Sequence, residues 1–187
     1  MKRFNDQNQP IQPLPLRQIA IGNAAEFERY KPGIQALLAI YQKVLLDDFC
    51  NPNPTLLVDN VGTYVPWLWI LADANERVYA IGGLSPIIPG RHAYVHGVSH
   101  PDSRRHPAVR ALGEWILNVA FTELNVHKVK AEIEATNWGA KGFCRRMGFI
   151  REAHFRRDNL VNGQWQDVLI YSLFAEQWQS HRSPVAR

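Results

Sequence analysis

Two neighbouring stretches of this sequence carry side chains suited to moving protons and holding anions. "AYVHGVSH", Ala93–His100, places His96 and His100 on an alternating, strand-like run. The ordinary pKa of a histidine lies near neutrality, which suits a general base. "SRRHPAVR", Ser103–Arg110, then gathers Arg104, Arg105 and Arg110, whose guanidinium groups make charge-assisted hydrogen bonds to anions. A third stretch, "NWGAKGFCRRMGF", Asn137–Phe149, sets Cys144 in an apolar stripe. Seven histidines are scattered without paired ligand spacing, and Cys50 and Cys144 stand far apart, so no metal cluster or secreted disulfide framework is read. One Cys50–Cys144 bridge stays open, and a reducing cytoplasm is the expected location.

The elements that must position these groups are legible from periodicity. In the third stretch Asn137 can cap a helix by accepting from an N–H two or three residues on, and Gly148 can end it in the left-handed conformation. At 100° per residue Ala140, Phe143, Cys144 and Met147 fall within an arc of roughly 100°, wide enough to dock on a sheet, with Lys141 and Arg145 on the other side. Gly139 and Gly142 each cost about 1 kcal/mol relative to alanine, which a close backbone approach by a ligand would offset.

Upstream, Val109, Leu112, Trp115, Ile116, Val119 and Ala120 keep helical spacing up to Asn125, a left-handed terminator. "KVKAEIEA" alternates Val129, Ala131 and Ile133 against Lys128, Lys130, Glu132 and Glu134, a half-buried strand. Strand, helix, strand in that order implies a right-handed parallel crossover. Before it, "YVPWLWILA", "RVYAIGGLS" and "AYVHGVS" form an antiparallel meander, and after it "FIREAHFRR" and "QWQDVLIYSLF" flank the turn "NLVNG". "GIQALLAIYQKVLLDDF", from Gly33, is helical and ends at "NPNP"; Leu16–Ile21 is a short first strand. The expected organisation is a flexible arm over 1–15, one domain over 16–178 and a tail over 179–187.

Composition bounds the class. A chain of 187 residues with 46% hydrophobic and 20% charged residues reads as one globular domain. No run of about 18 apolar residues offers a membrane span, and no apolar segment follows the basic N-terminus as in a secretory signal. The balance of 21 Lys+Arg against 17 Asp+Glu is a mild bias of +4, favourable to anions and far from a nucleic-acid signature.

The pattern N-x-x-A-x-x-F-x-x-x-x-G-F in Asn137–Phe149 resembles the GCN5-related N-acetyltransferase family. "ALGEWILNVAFTELNVHKVKAEIEATN", Ala111–Asn137, is similar to that family's cofactor-side helix and strand. Downstream, Gly148, Phe149, Glu152, Arg156, Gly163, Asp167, Tyr171 and Leu173 match the branch that acetylates ribosomal-protein N-termini. The resemblance implies an α/β fold: a mixed, mostly antiparallel sheet, helices on both faces, and a V-shaped splay between two parallel strands, "AYVHGVS" and "KVKAEIE". It implies acetyl-CoA in the splay, its pyrophosphate on the loop and helix start that follow, and no metal. Ser99, Arg104, Arg105, His106, Ala108, Val109, Arg110, Asn137, Ala140 and Phe143 are the expected cofactor residues. The implied partner is an amine-bearing acceptor, a peptide or a small molecule, with no membrane; nucleic acid is disfavoured, and a homodimer stays open.

The sequence departs from the family at three places. The pyrophosphate loop, Q/R-x-x-G-x-G/A in the family, fits here as Ser103-x-x-His106-x-Ala108 or as Arg104-x-x-Pro107-x-Val109, and neither keeps the glycine. Pro107 lacks an N–H but can start a helix, and the arginines can replace lost amide donors. The strand before the loop has no carboxylate, which leaves His96 as the expected base. Cys144 stands where many members carry a tyrosine that protonates the leaving thiolate; the alternative is a small buried hydrophobe. These departures keep two other readings open, a non-catalytic binding or assembly module and group transfer to a nucleic-acid base.

Overall fold

A computed structural model describes residues 15–41, 58–59, 61–161 and 163–182. Seven strands form one sheet: β1 (Arg17–Ile21), β2 (Leu68–Ala72), β3 (Val78–Ile88), β4 (His92–Ser99), β5 (Lys128–Glu134), β6 (Ile150–Val161) and β7 (Gln164–Phe174), in spatial order β1-β2-β3-β4-β5-β7-β6. Every neighbouring pair is antiparallel except β4 and β5, which are parallel and joined through the helix α2 (Pro107–Asn118). The expected fold class is what the chain adopts.

Helices cover both faces. α1 (Ala24–Ala39) packs Phe27, Ile34 and Leu37 against Ile21, Leu68, Ile70 and Val78. On the opposite face, α2 and α3 (Trp138–Arg146) pack Leu112, Ile116 and Cys144 against Leu71, Ala80, Val129 and Ala131. β2 is therefore buried at all five positions and reads as a continuous apolar run, as a strand covered on both faces must. No helix of the described residues is long and apolar enough to cross a membrane.

Several boundaries differ from the periodicity. α1 begins at Ala24, because Asn23 Oδ1 accepts from the Glu26 N–H at 3.0 Å and Pro32 is accommodated inside the helix. The expected stop at Asn51–Pro54 lies outside the described residues, as do Cys50 and residues 1–14. β2 starts at Leu68, since Thr63–Trp67 form turns and a bend. β6 runs on to Val161, and the tight turn includes Gly163 at φ +71°. α2 passes into a π-helical turn, Val119–Glu123, before Asn125 ends it at φ +48°, as its residue type suggests. A last helix, α4 (Ala175–Arg182), carries regular structure into the segment expected to be a tail.

Candidate active site

β4 and β5 pair at only three positions, His92 with Lys128, Ala93 with Val129 and Tyr94 with Lys130. Beyond Tyr94, β4 stays with β3 out to Ser99, and β5 stays with β7 out to Glu134. The two strands diverge, and their facing backbone borders a cleft of about 520 Å³. Its α2 wall is apolar, made by Val109, Leu112 and Ile116. α2 and α3 touch at Gly113, where an added Cβ would lie 2.8 Å from Phe143 Cζ.

His96 lines this cleft from β4. Its ring stacks on Tyr64 with centroids 5.2 Å apart, and Nε2 lies 2.5 Å from the Ser85 carbonyl oxygen. A carbonyl only accepts, so Nε2 carries the hydrogen and the basic lone pair of the neutral ring is on Nδ1. Removal from water lowers the His96 pKa, against the opposing pull of the Ser85 carbonyl and of the Glu132 charge. The ring is thus held neutral near pH 7, the form a base needs. His100 is differently committed: Nε2 accepts from Arg77 Nη2 at 3.2 Å, and Nδ1 faces Asp102 Oδ2 at 3.3 Å.

The expected anion end is built unlike a phosphate cradle. α2 begins with Pro107 at its first position, so one donor is missing. His106 caps the helix: its Nδ1 accepts from the Ala108 N–H at 3.1 Å, and its carbonyl accepts from the Val109 N–H at 3.1 Å. The first-turn amides that would meet an anion are already bonded. Ser103, fully buried, faces inward, with Oγ 2.8 Å from the Tyr79 carbonyl and 3.0 Å from that of His100. Arg104 remains at the cleft, where Nη2 donates to Tyr41 Oη at 2.7 Å, and that hydroxyl donates to the Ser99 carbonyl at 2.8 Å.

Of the ten expected cofactor residues, Ser99, Arg104, Val109, Asn137, Ala140 and Phe143 line the cleft together. Arg105, His106, Ala108 and Arg110 are outside that lining; Arg110 Nε donates instead to Glu114 Oε1 at 2.8 Å along α2. Asn137 caps α3 by accepting from the Ala140 N–H at 3.0 Å, as its residue type predicts. Lys141 departs from the helical-wheel reading. It is only 5% exposed, its ammonium donates to the Ala135 carbonyl, and it lies 3.5 Å from the Trp138 ring centroid.

Cys144 is a free thiol that lines the cleft from α3 while packing into the core cluster, and burial pushes its pKa up to about 12. A thiol held that high is a poor proton donor.

The family model of the acetyltransferase (GNAT) domain matches residues 71–170, more than half of the chain. The chain belongs to this family. Among curated GNAT relatives, it is 26% identical over 90 residues to the uncharacterized N-acetyltransferase YnaD of Bacillus subtilis, a segment of 48% of this chain and 53% of that protein. It is 27% identical over 101 residues to the spermidine N(1)-acetyltransferase of Vibrio cholerae, covering 54% of this chain and 58% of the relative. The chain thus spans little more than half the length of these relatives. The Vibrio cholerae spermidine N-acetyltransferase solved with CoA and spermine shares the fold at a TM-score of 0.68 and 19% identity, over 88% of this chain and 98% of that one.

Within this GNAT domain the cleft also gathers groups that sequence reasoning passed over or offered only for the acceptor. Tyr41 borders it and holds Arg104; Tyr64, which with Trp67 and Trp69 the sequence offered as a candidate acceptor-groove residue, also borders it and stacks on His96. Glu132 and Glu134 line it from β5. The alternation of β5 already separated these carboxylates from the apolar positions, and only the splay turns them toward a site.

Proposed function

We propose that this domain is an acetyl-CoA-dependent N-acetyltransferase that moves an acetyl group directly to a primary amine. The observation that carries the reading is the splay: two parallel strands pair over three residues and then part around a cleft with a neutral histidine on one wall. Bound in such a cleft, acetyl-CoA would supply an activated acyl thioester. The unpaired edge of β4 beyond Tyr94 suits the amides of its pantetheine arm, and Arg104, with Arg105 beside it in sequence but outside the cleft lining, suits its phosphates. With the α2 amides bonded internally, side chains rather than backbone carry the anion, so affinity depends steeply on salt. His96 Nδ1 receives a proton from the acceptor ammonium, whose nitrogen can then attack. Carboxylates on the opposite wall favour a cationic acceptor, either a small amine or a protein N-terminus. The named activities of the relatives support the small amine.

Thiol release from acetyl-CoA, followed against spermidine, spermine and short peptides with free N-termini, tests this reading and ranks the acceptors. Absence of acetyl-CoA binding at millimolar concentration in calorimetry would sink it. Where binding occurs, Arg104→Ala with Arg105→Ala should weaken it, most at low salt. A second reading, a binding module without turnover, is favoured by the bonded amides of α2 and the weakly acidic Cys144. Binding of acetyl-CoA without thiol release in the presence of any tested amine would select it.

A further inference from the structure

The register across the splay singles out one carboxylate. Tyr94 stands opposite Lys130, and side chains of neighbouring parallel strands alternate in step. His96 and Glu132, each two residues further on, therefore share a face and would be neighbours had pairing continued. That face is opposite to the α2 core: the Lys130 ammonium lies 5.2 Å from the Tyr94 ring centroid on it, while Val129, Ala131 and Ile133 are buried on the other side. Because the strands part after Tyr94, the imidazole and the carboxylate end on opposite walls of one cleft, both exposed to it. Among the described residues no cation pairs with Glu132.

We propose that Glu132 is the acceptor-binding carboxylate of this site, holding the ammonium of the incoming amine across the cleft from His96. This rests on the acetyltransferase reading and supplies, from β5, the carboxylate that β4 lacks. The step balances as follows. One ammonium proton passes to His96 Nδ1, and the freed lone pair forms a C–N bond to the thioester carbon as its C–S bond breaks. The excess proton on nitrogen goes to the departing sulfur, and the imidazolium returns its proton to water. The groups facing His96 are the Tyr64 ring, the Ser85 carbonyl on β3 and Glu132 on β5. The charge of Glu132 favours the imidazolium, so it raises the pH at which the base becomes available.

The test compares wild type, Glu132→Gln and Glu132→Asp, with spermidine and a short peptide bearing a free N-terminus as probes. Glu132→Gln keeps an acceptor but removes the carboxylate charge of an exposed pair, so KM and Kd for the amine should rise about three- to fivefold. The Kd for acetyl-CoA should change less than about twofold, on the scale of an exposed charge contact. The acid limb of kcat/KM should move to lower pH in Glu132→Gln and return toward wild type in Glu132→Asp. Equal amine binding and an unmoved limb in Glu132→Gln would overturn the proposal, as would failure of wild type to bind either amine. Amine binding that Glu132→Gln weakens, with no thiol release by wild type, would support the site while refuting transfer.

Discussion

Replacing His106 by alanine should separate stability from acetyl-CoA affinity, because this ring now occupies a donor that a phosphate would use. Its Nδ1 accepts from the Ala108 N–H at 3.1 Å, and loss of such a cap costs about 0.5–2 kcal/mol. An opposing effect comes from the other nitrogen. With Nδ1 accepting, the ring's hydrogen is on Nε2, which is buried with no hydrogen-bond partner among the described residues. An unpaired buried donor costs about 1–3 kcal/mol, and alanine removes it. The two effects nearly offset, so the net loss should stay within about 1 kcal/mol, or about 2–4 °C in Tm for a chain of this size. The freed Ala108 N–H can then donate to a phosphate oxygen, a bond to a charged group that contributes about 1.5–3 kcal/mol, so the Kd should fall about tenfold or more.

Two further replacements sharpen the comparison. His106→Asn keeps an acceptor at the cap and exchanges the orphaned ring donor for a shorter amide whose N–H groups can reach water, so it should melt near wild type with unchanged affinity. His106→Asp keeps the cap and adds a negative charge at the α2 N-terminus; it should retain stability and lose affinity. Calorimetric titration with acetyl-CoA between 50 and 200 mM salt, beside thermal denaturation, reads both quantities. Weaker binding in both the alanine and the asparagine variants would refute the reasoning, since it would mean that the imidazole itself holds the phosphate.

Three other expectations follow from buried or bonded groups. Cys144, its pKa pushed up to about 12, should be alkylated by iodoacetamide at pH 8 at least about 100-fold more slowly in the folded protein than in urea, as peptide mapping can show; rapid native labelling would contradict its burial. Gly113→Ala puts a Cβ 2.8 Å from Phe143 Cζ, and overpacking of about 1–3 kcal/mol should outweigh or cancel the roughly 1 kcal/mol that alanine gains inside a helix; a raised Tm would mean that Phe143 yields freely. Asp167 accepts from the Arg157 N–H at 2.9 Å and lies 2.7 Å from His154 Nε2, and these bonds hold its carboxyl below the ordinary 3.8. A carboxyl depressed in the folded state stabilises above its unfolded pKa and loses that contribution as pH falls through the folded value. Asp167→Asn should therefore lower Tm at pH 7 and by progressively less below about pH 4; a difference that stays constant down to pH 2 would remove the carboxylate from the account.

The helix caps and strand order were legible because they depend on local chemistry. Asn137 and Asn125 do what short polar side chains do at helix ends, and β5 alternates because one of its faces is buried. The differences from periodicity lie where tertiary packing outweighs local preference. Pro32 is carried inside α1, whose apolar side rests on β2 and β3, and Lys141 is drawn under Trp138 by a carbonyl at the turn before its own helix. Helical-wheel reasoning sorts residues by hydropathy, so it cannot see that one ammonium has a buried acceptor within reach.

The site was only half legible, for a reason that lies in the splay. His96, the base proposed here, could be nominated from residue type and from its place on the strand before the arginine-rich loop. Glu132 could not, because on β5 it is one of four alternating charged positions, and alternation alone reads as a solvated face. Two facts of pairing set it apart: Tyr94 opposite Lys130 fixes the step of the two strands, and the absence of any further pair turns the next two side chains toward a shared gap. The arginines misled in the opposite direction. Residue type marked Arg104, Arg105 and Arg110 alike as anion ligands, yet Arg110, next to the cleft-lining Val109, is outside the lining and meets Glu114 along α2, while Arg104 is held at the rim by Tyr41, beyond the end of α1. Charge and spacing nominate residues, but which of them share a cavity depends on where a β-ladder stops.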